Sequence, residues 1–444
     1  MAVDLCLYFQ VHQPWRLRHY RFLEVGHNHH YFDEDKNAAI LRKVADKCYL
    51  PMNNLLLDLL NEYEGAFKVS FSISGTVLQQ MEEYAPEVIP SFRRLFETGY
   101  AELLSETSHH SLAALYSPEE FAEQVRLHRE ITSRLLVPPS RVFRNTELIT
   151  SNAIASQVEA MGFEGMLMEG ADHILRWKSP LFKYQLKDAP KLVGLLKNYR
   201  LSDDIAFRFS DRGWSQWPLT SEKYTDWVRQ IDQENPVSAR GGTPFVGLFM
   251  DYETFGEHQW ESTGIFDFMR ALPGKLLQTG FARFVTASEA VQEAKSSKLP
   301  LSELDAPEPF SWADVERDLS AWRGNPIQDA ALRTVYQLEQ AIHATAAKLN
   351  AVAQLKESSV KIGDKLLSLV EGELPGEDGT DLIETWRRLL TSDHFYYMCT
   401  KYFADGDVHK YFNPYESPYD AHIIFMNVMA DLARRCGVQE KAIA

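Results

Sequence analysis

Acidic residues follow several apolar, strand-like runs of this sequence. The stretch PFVGLFMDYETFGEH, residues 244–258, contains an apolar run of six residues and then turns acidic at Asp251 and Glu253. Glu102 lies in a second such run, and Glu147 closes the segment FRNTE. Burying a charged group is unfavourable unless a partner or a function requires it. Acids at several strand ends therefore indicate a site.

Two carboxyl groups that share one site can break a glycosidic bond. One protonates the leaving oxygen, and the other attacks the anomeric carbon or activates a water molecule. The proton donor needs a pKa that is raised by nearby negative charge or by burial. Alternate residues of an extended segment share a face, so Glu253 is expected to crowd Asp251. The same reasoning predicts that Glu102 and Glu106 point together.

The elements that must position these acids alternate between strands and helices. Apolar runs such as VDLCLYFQV and FKVSFSI are each followed by a helical stretch, and this order repeats through roughly the first two thirds of the chain. Repeated βα units predict a parallel sheet with helices outside, in a barrel or an open doubly wound sheet. We favour the barrel, because no glycine-rich phosphate turn follows the first strand and polar residues end several strands.

The character of the sequence changes at residues 295–312, where a Pro- and Ser-bearing stretch is typical of a linker. Beyond it, several stretches have helical spacing. We therefore predict a catalytic domain over residues 1–295 and a helical domain over residues 296–444.

Composition limits the class of partner. The chain has 46 basic and 62 acidic residues, a net charge of −16. This charge argues against a nucleic-acid surface and against binding to an anionic membrane, and it is compatible with a neutral sugar polymer. The sequence contains neither a membrane-length apolar stretch nor the features of a secretory signal, so a cytoplasmic location is expected. Four scattered cysteines predict neither a disulfide framework nor a zinc knuckle.

Five motifs in order carry a family resemblance: HQP, GYAE, FRNTE, MDYETFGEH and SDHFYYM. They resemble the five sequence regions of glycoside hydrolase family 57, with the α-amylase-type branch the most similar, and they span His12 to Asp393. The resemblance implies an incomplete (β/α)7 barrel with a helical C-terminal domain. It also implies retaining cleavage of α-1,4-glucosidic bonds in starch-type glucans or maltooligosaccharides, without a cofactor or a metal.

The resemblance further implies roles for single residues. Glu147 matches the catalytic nucleophile, and Asp251 matches the general acid/base. The positions that match sugar-binding or tuning residues are His12, Glu102, His110 (or its neighbour His109), Glu253 and Asp393. Because Asp393 lies in the helical domain, that domain is expected to contribute to the cleft.

Two residues depart from the family pattern. Arg144 stands where many relatives have tryptophan, and His394 stands where many have an aromatic or apolar residue. Both are expected near the scissile bond, with His394 among the substrate-binding residues. Trp214 and Trp217 are candidates for a platform that stacks on glucose rings, although tryptophans also fill cores.

Other functions share these residues. A 4-α-glucanotransferase or a branching enzyme would use the same intermediate with a sugar acceptor. Histidines and acids at strand ends could instead hold a metal, as in a polysaccharide deacetylase or a mannosidase, and a silent glucan-binding protein is a third class. The histidine-rich segment GHNHHYFDED, residues 26–35, is interpreted as polar surface rather than a metal site.

Overall fold

The computed structural model describes residues 3–234, 243–278, 280–359, 379–403 and 407–438. These residues form two compact units. The first unit comprises Met1–Gln13, Asp35–His110 and Pro118–Leu319, and the second comprises Pro14–Glu34, Ser111–Ser117 and Ser320–Ala444. Among the described residues, no helix combines the length and the apolar character that a membrane crossing requires.

The first unit is built on one sheet. Its described strands are β1 Val3–Val11, β2 Val69–Ile73, β3 Ala101–Leu103, β4 Val142–Arg144, β5 Gly165–Glu169, β6 Tyr184–Leu186, β7 Ala189–Lys197, β8 Phe245–Asp251, β9 Ala282–Phe284 and β10 Ser302–Leu304. The path β4-β5-β7-β8-β1-β2-β3 is parallel throughout, and β6 joins β7 as an antiparallel partner. Between β3 and β4 the described pairing is an isolated bridge from Ser105 to Phe143. The predicted incomplete (β/α)7 barrel is therefore confirmed.

Helices follow most of these strands, as βα units require. In the first unit they are α1 Glu34–Val44, α2 Leu50–Glu62, α3 Gly75–Tyr84, α4 Val88–Glu97, α6 Pro118–Leu135, α7 Asn152–Ala160, α8 Asp172–Leu175, α9 Tyr199–Ala206, α10 Ser221–Glu234, α11 Ile265–Gln278 and α12 Ala287–Ser296. Every residue of β1 is buried, which is typical of a central parallel strand covered on both faces.

The second unit is helical, as the sequence predicts. Its described helices are α5 Ala113–Tyr116, α13 Ser320–Arg323, α14 Pro326–Gln337, α15 Glu339–Ser359, α16 Gly379–Leu389, α17 Ser392–Tyr396, α18 Asp407–Phe412 and α19 Pro418–Arg435. The segment Pro14–Glu34 joins it because the buried Asp431 of α19 accepts hydrogen bonds from the Gly26 amide and the Tyr31 hydroxyl and contacts His29 Nδ1 at 2.7 Å. The histidine-rich segment is thus anchored in part by an acid of α19.

The observed domain boundary differs from the predicted one at residue 295. The first unit continues to Leu319 because the stretch predicted as a linker pairs with the sheet. Its strand β10 runs parallel to β6, and Phe310 bridges Thr150. Asn152 accepts a hydrogen bond of 2.9 Å from the Ala306 amide. The Pro- and Ser-bearing stretch is therefore part of the first unit and not a linker.

Candidate active site

Glu147 lies on a strained turn after β4. The turn Thr146–Leu148 is a short 3-10 helix in which Glu147 has φ 57° and Leu148 φ 52°, in the left-handed region that side chains disfavour. The buried Leu148 side chain and a 2.9 Å hydrogen bond from Asn145 Nδ2 to the Ile149 carbonyl hold this conformation. Strain of this kind persists where the surroundings over-determine it, and such residues cluster at functional sites.

Both carboxylate oxygens of Glu147 have partners. Oε1 lies 3.2 Å from His110 Nε2, and Oε2 accepts a 2.7 Å hydrogen bond from the indole of Trp312. The Glu147 side chain retains 20% exposure. The acid is therefore oriented on one side by two nitrogen groups while part of it still reaches solvent.

His110 connects Glu147 to a second acid. Its Nδ1 lies 3.2 Å from Glu106 Oε2, and its ring stacks on His12 with centroids 3.9 Å apart. Burial alone would lower the pKa of His110, but hydrogen bonds to Glu106 and Glu147 outweigh it and raise the pKa to about 9. Burial alone would likewise raise the pKa of Glu106, yet His110 holds it at about 2. A protonated histidine thus stands between two carboxylates.

Asp251 ends β8 beside Gln10 of β1. Burial, followed by the negative charge of Glu147, raises the pKa of Asp251 to about 6, against the opposing charges of Arg144, Lys197 and His110. Glu147 and Asp251 are therefore within electrostatic range of each other. A pKa close to neutral suits a group that must give and take a proton.

Glu253 does not lie on an extension of β8, because the chain turns into a 3-10 helix over Tyr252–Thr254. The Tyr252 hydroxyl donates a 2.6 Å hydrogen bond to Asn53 and fixes this turn in the core. Glu253 accepts hydrogen bonds from the Tyr49 hydroxyl at 2.5 Å and the His12 amide at 3.4 Å. Burial and the charge of Asp251 raise the pKa of Glu253 to about 8.

Glu102 and Glu106 do not point together as predicted, because β3 ends at Leu103. Glu102 instead accepts hydrogen bonds of 3.1 Å from the Ser70 hydroxyl and the Ser288 amide, and it also bonds the Ser288 hydroxyl. Ser288 lies in the first turn of α12, so this acid supports a helix start. Its predicted contact with sugar gains no support from this geometry.

The two predicted stacking tryptophans have different surroundings. Trp214 is half-buried and packs edge-on against Trp227 at 6.1 Å, whereas Trp217 is 42% exposed with Arg212 over its ring at 5.6 Å. Trp214 thus packs against the core, and a sugar-stacking role for either residue stays a prediction.

Asp393 and His394 lie on α17 of the second unit. His394 is buried, and its Nε2 lies 3.2 Å from the Arg388 carbonyl. Burial lowers its pKa to about 4. The substrate-binding roles of both residues, and the contribution of the helical domain to a cleft, stay predictions.

Trp312 and Lys197 belong to this cluster and were not predicted. Trp312 lies in the stretch interpreted as a linker, yet its indole donates to Glu147, and Lys197 Nζ lies 5.1 Å from its ring centroid. A tryptophan in a polar, proline-bearing stretch is a usable signal, because its N–H usually finds a partner when the ring is buried.

His, Cys, Asp and Glu, the residue types that commonly bind metal ions, occur throughout the described ranges. There, no three or more His, Cys, Asp or Glu side chains come together in a way that could hold a metal ion.

Comparisons with known proteins identify the family of this chain. The family model described as glycosyl hydrolase family 57 matches residues 6–304. A curated protein from Methanocaldococcus jannaschii named "Putative alpha-amylase" is 37% identical over 431 residues, which are 95% of this chain and 82% of that protein.

Two solved structures have a similar fold. A GH57-type branching enzyme from Pyrococcus horikoshii matches 100% of this chain and 96% of its own, with a TM-score of 0.65 and 15% identity. A 4-alpha-glucanotransferase from Thermococcus litoralis matches 93% of this chain with a TM-score of 0.55 and 16% identity, and the match spans 54% of that enzyme. Identities this low indicate a shared fold and nothing finer.

Proposed function

The chain belongs to glycosyl hydrolase family 57, and we propose that it is a retaining enzyme that hydrolyses α-1,4-glucosidic bonds in starch-type glucans or maltooligosaccharides. The observation that carries the proposal is the contrast between two acids. Glu147 is oriented by His110 and Trp312, and Asp251 has a pKa raised to about 6. The name of the 37% identical relative supports hydrolysis of an α-glucan.

The reaction has two steps. In the first, a Glu147 oxygen attacks the anomeric carbon, the bond from that carbon to the glycosidic oxygen breaks, and Asp251 gives its proton to the departing sugar. In the second, Asp251 takes a proton from water, the water oxygen bonds to the anomeric carbon, and Glu147 leaves as a carboxylate. Two displacements retain the anomeric configuration. His12 and His110 are the side chains proposed to face the sugar.

The two acids are electrostatically suited to this order of events. The charge of Glu147 raises the pKa of Asp251 in the free enzyme, which keeps a proton available for donation. When Glu147 becomes an ester, that charge disappears and the pKa of Asp251 falls. Asp251 is then ionised when it must act as the base, so one carboxyl serves both steps.

Substitution of the two acids tests the proposal. Glu147→Gln is expected to lower kcat/KM on maltooligosaccharides by about 10³-fold or more, because the attacking oxygen is lost. Asp251→Asn is expected to lower it by about 10²- to 10⁴-fold. Glu97→Gln, at an exposed position of α4, is the matched control and should keep wild-type activity.

Azide distinguishes the two roles. It should rescue Glu147→Ala with an activated aryl glucoside and give a glucosyl azide of inverted configuration, whereas Asp251→Ala should give one of retained configuration. Normal turnover by Glu147→Gln, or the same azide product from both variants, would overturn the assignment.

Transfer to a sugar acceptor is the second candidate, because one solved structure of the same fold is a 4-alpha-glucanotransferase. Both reactions share the covalent step and differ only in whether water or a sugar resolves it. Incubation with maltotriose decides between them. Hydrolysis gives only shorter sugars, whereas transfer also gives longer ones, and longer products as the main outcome would replace the hydrolase assignment.

A further inference from the structure

Arg144, the last residue of β4, has a charged side chain in the protein interior. Its backbone amide donates a 2.8 Å hydrogen bond to the Ser105 carbonyl, which fixes the position of the residue. Its side chain is fully buried, and within the described part of the chain none of its three guanidinium nitrogens has a hydrogen-bond partner. A buried charge that makes no hydrogen bond is strongly unfavourable, so its presence needs an explanation.

The residues around the Arg144 guanidinium explain why this charge is buried. Its central carbon lies 4.9 Å from the ring centroid of Trp312, in a cation–π contact. The Trp312 indole donates at 2.7 Å to Glu147 Oε2, and the Trp312 amide donates at 3.3 Å to the Glu147 carbonyl. Lys197 approaches the same ring at 5.1 Å. Arg144 thus contacts the group that orients Glu147 and not Glu147 itself.

We propose that Arg144 is a positioning residue, which holds the Trp312 indole in the orientation that donates to Glu147 and supplies a fixed positive charge within electrostatic range of Asp251. Its nitrogens are buried, so it acts through these neighbours. The measurement of activity rests on the proposed glycosidase function, whereas the measurement of the Trp312 indole signal does not.

Removal of the Arg144 charge is expected to raise the pKa of Asp251. Burial has the largest effect on the pKa of Asp251 and raises it, the charge of Glu147 also raises it, and the charges of Arg144, Lys197 and His110 lower it. Asp251 in turn raises the pKa of the buried Glu253, so Glu253 also faces this group. Arg144→Met keeps much of the side-chain volume and deletes one lowering charge. The general acid Asp251 then stays protonated to higher pH. The basic limb of the pH profile of kcat/KM should therefore move to higher pH by about one pH unit. Misorientation of Glu147 should lower kcat by about tenfold to a hundredfold.

Three variants form the first experiment, with pH profiles on a maltooligosaccharide and melting temperatures for each. Arg144→Met should show both effects. Arg144→Lys should restore the position of the basic limb but not the full kcat, because an ammonium lacks the planar face that stacks on indole. Arg129→Met, on the exposed side of α6, is the control and should match wild type. A folded Arg144→Met with a lower melting temperature and an unmoved basic limb would reduce Arg144 to a structural role.

The second experiment needs no substrate. The chain has nine tryptophans, and their indole ¹⁵N–¹H signals can be recorded with Trp312→Phe as the assignment control. In Arg144→Met the Trp312 signal should shift towards that of an indole without a carboxylate acceptor, and Arg144→Lys provides the same test should the Met variant fail to fold. An unshifted signal overturns the inference. If the wild-type protein cleaves no glucan, the proposed function is wrong. The indole signal of Trp312 still tests the positioning role of Arg144 in that case.

Discussion

Two charge groups, each built around buried residues, lie at opposite ends of the parallel strands, and they are built differently. At the amino ends, Asp4 accepts from Lys183 at 3.0 Å and from Arg283 at 2.6 Å, and both cations also contact Glu293 at 2.9 Å. At the carboxyl ends, Arg144 has no hydrogen-bond partner among the described residues, although acids lie within its electrostatic range.

The difference separates stability from chemistry. Direct pairing compensates part of the loss of hydration when charges are buried. At the amino ends burial raises the pKa of Asp4, whereas contacts with Asp4, Lys183 and Arg283 outweigh burial and hold the pKa of Glu293 at about 2. At the carboxyl ends, burial and the charge of a neighbouring acid raise the pKa of Asp251 to about 6 and that of Glu253 to about 8, so both groups can change charge near neutral pH. Such displacement is typical of sites that transfer protons.

The largest effect on stability is expected at the amino-end group. Lys183→Met removes a buried cation and leaves Arg283 as the cationic partner of Asp4, so the free energy of unfolding should fall by about 3 kcal/mol. Both limbs of the pH profile of kcat/KM should stay at the same pH as in wild type, because this charge group lies at the other end of the strands. Lys295→Met, which removes a more exposed ion pair with Glu164, should change the free energy of unfolding by less than about 1 kcal/mol.

Urea titration and activity measured on the same Lys183→Met sample check the comparison. A shift of either limb of the pH profile would show that the two charge groups are coupled and do not act independently.

A pH-dependent effect follows from His110. Its pKa of about 9 in the fold exceeds the ordinary value of 6.5, so the protonated ring stabilises the fold fully below about pH 6.5. That contribution is lost as the pH rises towards 9, and it is on the order of 3 kcal/mol. His110→Gln should therefore be less stable than wild type at pH 6, with the difference shrinking towards pH 9.

Denaturant titrations at several pH values between 6 and 9 test this expectation. Glu253 also titrates in this range, but it is present in both proteins and its contribution largely cancels in the difference. The exposed His27, replaced by Gln, should give a constant difference near zero. A pH-independent loss in His110→Gln would mean that the ring is not charged between its two acids.

The sequence predicts the barrel and one half of the site for a clear physical reason. Parallel strands bring their carboxyl ends to one edge of the sheet, so residues that follow separate strands meet there. The site residues lie at or beyond the carboxyl ends of four strands: His12 after β1, His110 after β3, Glu147 after β4, and Asp251 and Glu253 at and after the end of β8. In the structure they meet through hydrogen bonds, ring stacking or electrostatic interaction.

The rest of the site depends on contacts that no local pattern records. Trp312 lies 165 positions from Glu147 in the chain, inside a stretch whose composition resembles a linker. The two-residue alternation also fails where a strand ends: Glu253 follows β8 on a 3-10 turn, and Glu106 follows β3 on a loop to His110. Burial and distant charges, which only the fold supplies, then set the pKa values.

The smallest effect is expected at Glu102, which separates a structural acid from one at the site. Glu102→Gln weakens hydrogen bonds to Ser70 and Ser288, so the free energy of unfolding should fall by about 1 kcal/mol. Its KM for maltooligosaccharides should stay within about twofold of wild type. Glu106→Gln is the matched comparison, because it removes the carboxylate that holds His110 beside Glu147, and it should lower kcat by about tenfold or more. A raised KM with unchanged stability in Glu102→Gln would instead make Glu102 a sugar-binding residue.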